Sequence, residues 1–337
     1  MSTQKGFAPI LIILVVFLVA TVGGGAYLLG RSLPSKSLVT KEPVSNTQPS
    51  TTSTDNTLYQ PKTLSQEQIT QMTKKDGPWN TNLMIAESSD GQSFSNAKVF
   101  VERAGVTSIT KDSKDRLISA FQYFPVDDPS SFDLVAISTS ADQGKTWSKP
   151  QTAKFYNMPQ IQRPFDPTVA SSQDGKIRMF FTSTRLEGDK RQGDPAIYSA
   201  ISEDGISYTF EEGVKLGVSG KTVIDSAAIQ FKDVWHLISP IQPSGGAYHA
   251  TSSDGEKFSR TQDINADAAH RWLGNFTTFQ DSLRFYGTGD GNIWYSTSPE
   301  GVKWDNPVST NVSGGDPAVV ELSSSKYLMI YTGEKGI

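Results

Sequence analysis

Ser140-Ala141-Asp142-Gln143-Gly144-Lys145-Thr146-Trp147 places an acid two residues after a serine, then a glycine, then an aromatic three residues further on. Four copies one residue shorter share the pattern: Ser88-x-Asp90-Gly91-x-x-Phe94, Ser202-x-Asp204-Gly205-x-x-Tyr208, Ser252-x-Asp254-Gly255-x-x-Phe258 and Ser298-x-Glu300-Gly301-x-x-Trp304. The acids lie 52, 62, 50 and 46 residues apart, and self-similarity at a period of roughly 40 to 50 residues is the signature of a propeller. Each copy reads as a tight hairpin turn. The carboxylate accepts backbone N–H groups, glycine takes the position with φ > 0, and the aromatic opens the outgoing strand.

A second repeat runs beside the first. Paired strand-like segments recur at Val106–Thr110 with Arg116–Tyr123, Asp166–Ser171 with Lys176–Thr184, and Asp225–Phe231 with Val234–Ser239. They continue at Leu273–Phe279 with Ser282–Thr288 and at Asp316–Leu322 with Lys326–Thr332. Their β-branched and aromatic content, bounded by Gly, Asp, Ser and Lys, is that of antiparallel strands. Each pair is followed by one strand into a serine–acid–glycine turn and one out of it, which gives four strands per unit and an all-β, five-bladed propeller. The last unit has only two strands of its own. Its other two are expected from Asn82–Ser88 and Phe94–Val101, so the ring closes with strands from both ends of the chain, and the widest interval is taken up by a long loop at Arg185–Pro195.

The turns resemble the Asp box, or BNR repeat, of sialidases and related propellers, and the copy at Ser140–Trp147 fits the full pattern. Over most of residues 82 to 333 the chain is similar to sialidase-like and five-bladed glycosidase propellers such as arabinanases and invertases. Asp166-Pro167-Thr168-Val169 and Asp316-Pro317-Ala318-Val319 look like their inner strands. The resemblance implies aspartates at inner-strand starts acting as base or nucleophile, with a glutamate as acid. For a sialidase it implies three arginines on the substrate carboxylate. Asp225 stands where those glycosidases usually have a glutamate, and Arg103-Ala104-Gly105 where sialidases have Arg-Ile-Pro.

The amino terminus is of another kind. Gly6 to Gly30 carries no charge, and Ile10–Val22 is almost wholly aliphatic, long enough for a membrane helix of about 20 residues and equally suited to a signal peptide. Residues 1–31 are therefore expected to be an anchor or signal. Residues 32–77, rich in Ser, Thr, Pro, Gln and Asn, are expected to be a disordered linker, and residues 78–337 the propeller, a monomer held outside the cytoplasmic membrane or secreted. The absence of cysteine excludes disulfides, thiolate chemistry and a lipoprotein anchor. With 31 basic against 35 acidic residues, the net charge of -4 argues against a nucleic-acid partner. His236, His249 and His270 are too scattered to suggest a zinc site, and no cofactor is expected.

Binding residues usually sit on loops positioned by a rigid scaffold, here the loops that enter the inner strands at the face opposite the turns. Three blades present an aspartate there: Asp166, Asp225 and Asp316. The first blade offers Glu102 instead. These four are the candidate catalytic carboxyls. Arg103, Arg163 and Arg271 lie just upstream of inner strands, and with Arg185, His270 and Asn275 they are the candidate substrate-binding groups, since arginine forks suit carboxylates. Two readings stand side by side: a glycoside hydrolase, or a propeller that binds a glycan or another partner without catalysis.

Overall fold

The computed structural model describes residues 56–335 except 244 and 266–268. The chain enters the ring through β1 (Thr81–Ser88) and β2 (Phe94–Val101). The first complete blade is β3 (Ala104–Lys111), β4 (Leu117–Tyr123), β5 (Leu134–Ser140) and β6 (Gln151–Thr152). The second is β8 (Phe165–Ser171), β9 (Ile177–Glu187), β10 (Lys190–Ser202) and β11 (Ser207–Leu216), with β7 (Lys154–Tyr156) added in parallel at its outer edge. The third holds β12 (Ala227–Phe231), β13 (Val234–Pro240), β14 (Ala247–Ser252) and β15 (Ser259–Arg260). The fourth holds β16 (His270–Phe279), β17 (Ser282–Gly289), β18 (Ile293–Ser298) and β19 (Val308–Ser309). The fifth pairs β20 (Gly315–Ser323) and β21 (Lys326–Lys335) with β1 and β2, in the order β2-β1-β21-β20. Leu83 opposite Thr332 through Ser88 opposite Tyr327 forms the seam, so the five-bladed, all-β ring is closed by both ends of the described chain.

Alternation buries one face of each strand against each neighbouring blade. Phe121, Leu83 and Ile330 fill the junction of the fifth and first blades, and Phe181, Ile137 and Tyr208 that of the first and second. The turns act as mortar between these layers. In the second blade Ser202 Oγ takes the N–H of Gly205 at 2.8 Å, and Asp204 takes the N–H groups of Ile206 and Ser207, both at 2.7 Å. Gly205, at φ +77°, lies so close to Ile118 that a Cβ would come within 2.6 Å of its Cδ1. The contact recurs: Gly91, Gly144, Gly255 and Gly301 press on Arg284, Leu328, Arg178 and His236. All five targets lie on the second strand of the preceding blade, one residue after the position that pairs with that blade's own turn serine. Glycine is required twice over, for its φ and for the approach of the next layer.

Two expectations are corrected. Residues 185–195 are no loose loop, because β9 and β10 run on as an extended hairpin, pairing Glu187 with Lys190. The carboxyl-terminal part of the expected linker is ordered. Tyr59 N donates to Phe155 O at 2.8 Å, and helix α1 (Gln66–Met72) carries a capping box between Ser65 and Gln68. Ile69 and Trp79 are buried with Phe124 and Phe132 of the loop between β4 and β5. Residues 58–80 thus brace the ring, Leu58 and Tyr59 at the outer edge of the second blade and α1 with Trp79 on the first, because Ile69, Met72 and Trp79 supply the apolar surface that the surrounding polar composition hides. Among the described residues no helix is long and apolar enough to cross a membrane, and the expected anchor at 1–31 lies outside them.

Candidate functional site

The inner strands begin with a shared backbone device. Val106, Asp166, Asp225 and Asp316 all take φ between +46° and +53°. In the first, second and fifth blades the pairing register slips at the same place: between Gly105 and Thr107, Phe165 and Thr168, and Gly315 and Ala318. Bulges of this kind re-aim side chains and gather next to functional sites. A non-glycine residue held in this region costs about 1 to 3 kcal/mol, and β-branched Val106 is the most unusual of the four. Pro167 and Pro317 follow two of the aspartates, so the bulge there leaves no N–H to satisfy.

Threonines of the second strands hold the aspartates in place. Asp225 N donates to Thr182 Oγ1 at 3.2 Å and Asp316 N to Thr288 Oγ1 at 3.0 Å, each bond crossing from one blade to the next. Thr332 Oγ1 lies 3.4 Å from Asp316 Oδ2, and the Thr182 hydroxyl favours the ionised form of the Asp166 carboxyl. Thr182, Thr288 and Thr332 were not singled out from the sequence. Their only trace there is a threonine at the end of an apolar second strand in three blades.

Asp166, Asp225 and Asp316 converge. The carboxyls of Asp166 and Asp225 are in hydrogen-bonding contact, and the charge of Asp316 acts on both. Each aspartate is only partly buried as a residue, yet its carboxyl is packed round by protein. Loss of solvation pushes Asp166 up to about 7, helped by Asp316 and Asp133 and opposed by Thr182. Asp225 is raised well above the usual carboxylate range by burial and by Asp166. Burial raises Asp316 to about 6 against the bond from Thr332. Among the described residues no backbone N–H donates to these three carboxyls, which sets them apart from caps. The turn acids are the opposite: hydrogen bonds from the Thr146 hydroxyl and N–H bring Asp142 down to about 2. A pair of carboxyls in contact holds one proton between them, which supplies one acid and one base at neutral pH.

The remaining candidates are placed elsewhere or already engaged. Glu102 is exposed and does not join the three aspartates; its charge acts on Tyr123. Arg163 is paired with buried Asp133, donating from Nε to its carbonyl at 2.8 Å and from Nη2 to its carboxylate, which also accepts from Gln122 at 2.9 Å. Arg103 donates to Trp79 O at 3.3 Å, toward the brace. Arg271 lies 3.8 Å from Asp290, both well exposed, and Arg185 is exposed on the β9–β10 hairpin. Arg103, Arg163 and Arg271 thus take three separate partners, Trp79, Asp133 and Asp290. His270 meets the edge of Trp294, and Asn275 reaches across the channel to Thr107 O at 3.0 Å and Pro317 O at 3.5 Å. Asp133, missed in the sequence, is the fourth carboxyl near Asp166. It comes from the start of β5, in the blade whose inner strand has Val106 instead of an aspartate.

At the other end of the channel the inner strands line a cavity of about 440 Å³ whose only charged residues are Lys111 and Glu321. Among the described residues no group of three or more His, Asp or Glu side chains is arranged to hold a metal ion.

No family model matches the sequence, and no curated protein does. Solved structures match in fold at low identity. The Hadza microbial sialidase Hz136 is 13% identical with a TM-score of 0.51, over 77% of this chain and 60% of the sialidase, so the chain spans less than two thirds of that protein. Zg3597, a family 117 glycoside hydrolase of the marine bacterium Zobellia galactanivorans, is 11% identical with a TM-score of 0.51, over 78% and 96%. CoXyl43, a family 43 β-xylosidase/α-arabinofuranosidase from a compost microbial metagenome, is 13% identical with a TM-score of 0.50, over 67% and 84%. The chain is thus a propeller of the fold shared with sialidase and with glycosidases of families 43 and 117.

Proposed function

We propose that the protein is an extracytoplasmic glycoside hydrolase whose acid and base come from Asp166, Asp225 and Asp316. The observation that carries this reading is the Asp166–Asp225 pair in hydrogen-bonding contact, with Asp316 acting on it. Hydrolysis needs two carboxyl groups about 5 to 5.5 Å apart for retention, or ~6.5 to 9.5 Å apart for inversion. A pair in direct contact is closer than either. The working partners are therefore the pair, which holds a proton for the leaving oxygen, and Asp316, which ionises first and serves as base or nucleophile. Thr182, Thr288 and Thr332 keep the carboxyls oriented. The uncharged segment from Gly6 to Gly30 supports attachment to, or export across, a membrane.

A specific observation favours the second reading, a propeller that binds a glycan without cleaving it. Val106 occupies the first blade's position in the ring of strand starts, and Glu102, the carboxyl expected there, is exposed. One experiment separates the two. The full-length protein and Asp316→Asn are incubated with a broad glycan panel, sialosides and arabinans included, while binding is read on an array of the same glycans. Sugar release that peaks near pH 6 to 7 and is lost in Asp316→Asn supports the hydrolase. Binding without release supports the second reading, and neither binding nor release rejects both.

A further inference from the structure

Resting on the glycan-site reading, we propose that the ligand carries a positive charge at the aspartate cluster: the aspartate end of the channel, called the funnel below, takes sugars with a free ammonium group, such as unacetylated 2-amino sugars, in preference to neutral or acidic ones. The charges argue for it first. Three carboxyls meet at the funnel and Asp133 stands beside them, whereas Arg163, which reaches Asp133, is committed to it. Among the described residues no Lys, Arg or His forms an ion pair with Asp225 or Asp316; the arginine pairs go to Asp112, Asp133, Glu211, Asp263 and Asp290. An acidic sugar would bring a further negative charge to desolvated carboxylates with no guanidinium to receive it. An ammonium supplies the missing countercharge and makes charge-assisted hydrogen bonds to them.

An independent observation is one buried acceptor without a donor. Gln122 is 4% exposed, and its Oε1 has no hydrogen-bond partner, while its Nε2 is spent on Asp133. Gln122 pairs with Gly105 just before Val106, as Thr182 pairs with Phe165 before Asp166 and Thr332 with Gly315 before Asp316. Since the two threonine hydroxyls reach the aspartates, the Gln122 amide heads the same funnel. An ammonium is the complement of such a surface, offering three donors and no acceptor.

The test measures binding of three tetrasaccharides to the full-length protein at pH 7 and constant ionic strength: the glucosamine tetramer, its fully N-acetylated counterpart and tetragalacturonic acid. The expected result is affinity for the glucosamine tetramer about tenfold or more above the N-acetylated one, with the acidic one weakest. Asp316→Asn, which keeps the side-chain shape, should remove most of that preference, and Asp166→Asn serves as the repeat should the first variant fold poorly. Equal affinities, or tighter binding of the neutral or acidic tetramer, overturn the inference and leave the glycan-site reading standing. A preference that survives both substitutions unchanged overturns its assignment to the funnel. If none of the three binds and a broad glycan array is also blank, the inference and the reading fall together.

Discussion

Aspartates in this chain fall into two populations, and backbone hydrogen bonding separates them. At Asp90, Asp204 and Asp254 the turn N–H groups solvate the carboxylate and hold it below its usual range, whereas Asp166, Asp225 and Asp316 receive none and are raised by burial. The sign of the consequence follows from linkage. A carboxyl near 7 in the folded state and near 4 when unfolded binds more protons folded than unfolded between those values, so its contribution to stability falls as pH rises from about 4 to 7. Asp166→Asn removes that loss. It should therefore melt at least ~2 °C above wild type at pH 8, for each kcal/mol or so recovered, and close to wild type at pH 4. Thermal melts across that range check it. A variant that is less stable at pH 8 would mean that the ionised carboxylate is well solvated and not strained.

At the scale of elements, the contact of each turn with the preceding blade is open to a controlled comparison. Gly205 and Gly220 have similar positive φ, +77° and +71°, but a Cβ at Gly205 meets Ile118 while one at Gly220 meets nothing within 4 Å. Gly220→Ala should cost only the conformational strain, about 1 to 2 kcal/mol. Gly205→Ala should cost roughly 1 to 3 kcal/mol more by overpacking, and Ile118→Val, which deletes the clashing carbon, should recover part of it in a double-mutant cycle by urea denaturation. The strand pair β13–β14 gives a pH-dependent test of opposite sign to that of Asp166. His236 and His249 stack 5.4 Å apart with Nδ1 and Nε2 at 3.2 Å, and burial brings both down to about 4, with the partner imidazole and Arg260 lowering His249 and Asp263 raising it. The unfolded chain then binds more protons than the folded one between about 4 and 6.5. Stability carried by the neutral pair is full above 6.5 and lost as pH falls toward 4. His236→Gln should flatten that part of the melting curve; an unchanged slope would show that the pair does not drive it.

For the whole molecule, the ring was legible in the sequence and the site only in outline. The five turns are local, each written within eight residues, so their spacing sets the number of blades. Asp166, Asp225 and Asp316 could be read because each begins a strand at the same point in its repeat. Their contacts could not, because Thr182 to Asp225 and Thr288 to Asp316 span blade boundaries, and Asp133 enters from a loop whose position depends on the ring being closed. The same dependence makes closure the sharpest test of the architecture. Removing residues 1–55 leaves the brace and all five blades and should give a soluble protein with one cooperative transition. Removing residues 1–77 strips α1 from Phe124 and Phe132, so the product should still fold, with a lower melting temperature and added binding of an apolar dye. Removing residues 1–101 deletes β1 and β2, and β21 then presents an unpaired edge along Tyr327 to Thr332, over a strand whose Met329 and Ile330 are fully buried in the closed ring. Such an edge invites pairing between copies. Size-exclusion chromatography should show aggregate for this truncation alone, and a monomeric, cooperatively melting product would mean that the fifth blade does not need strands from the front of the domain.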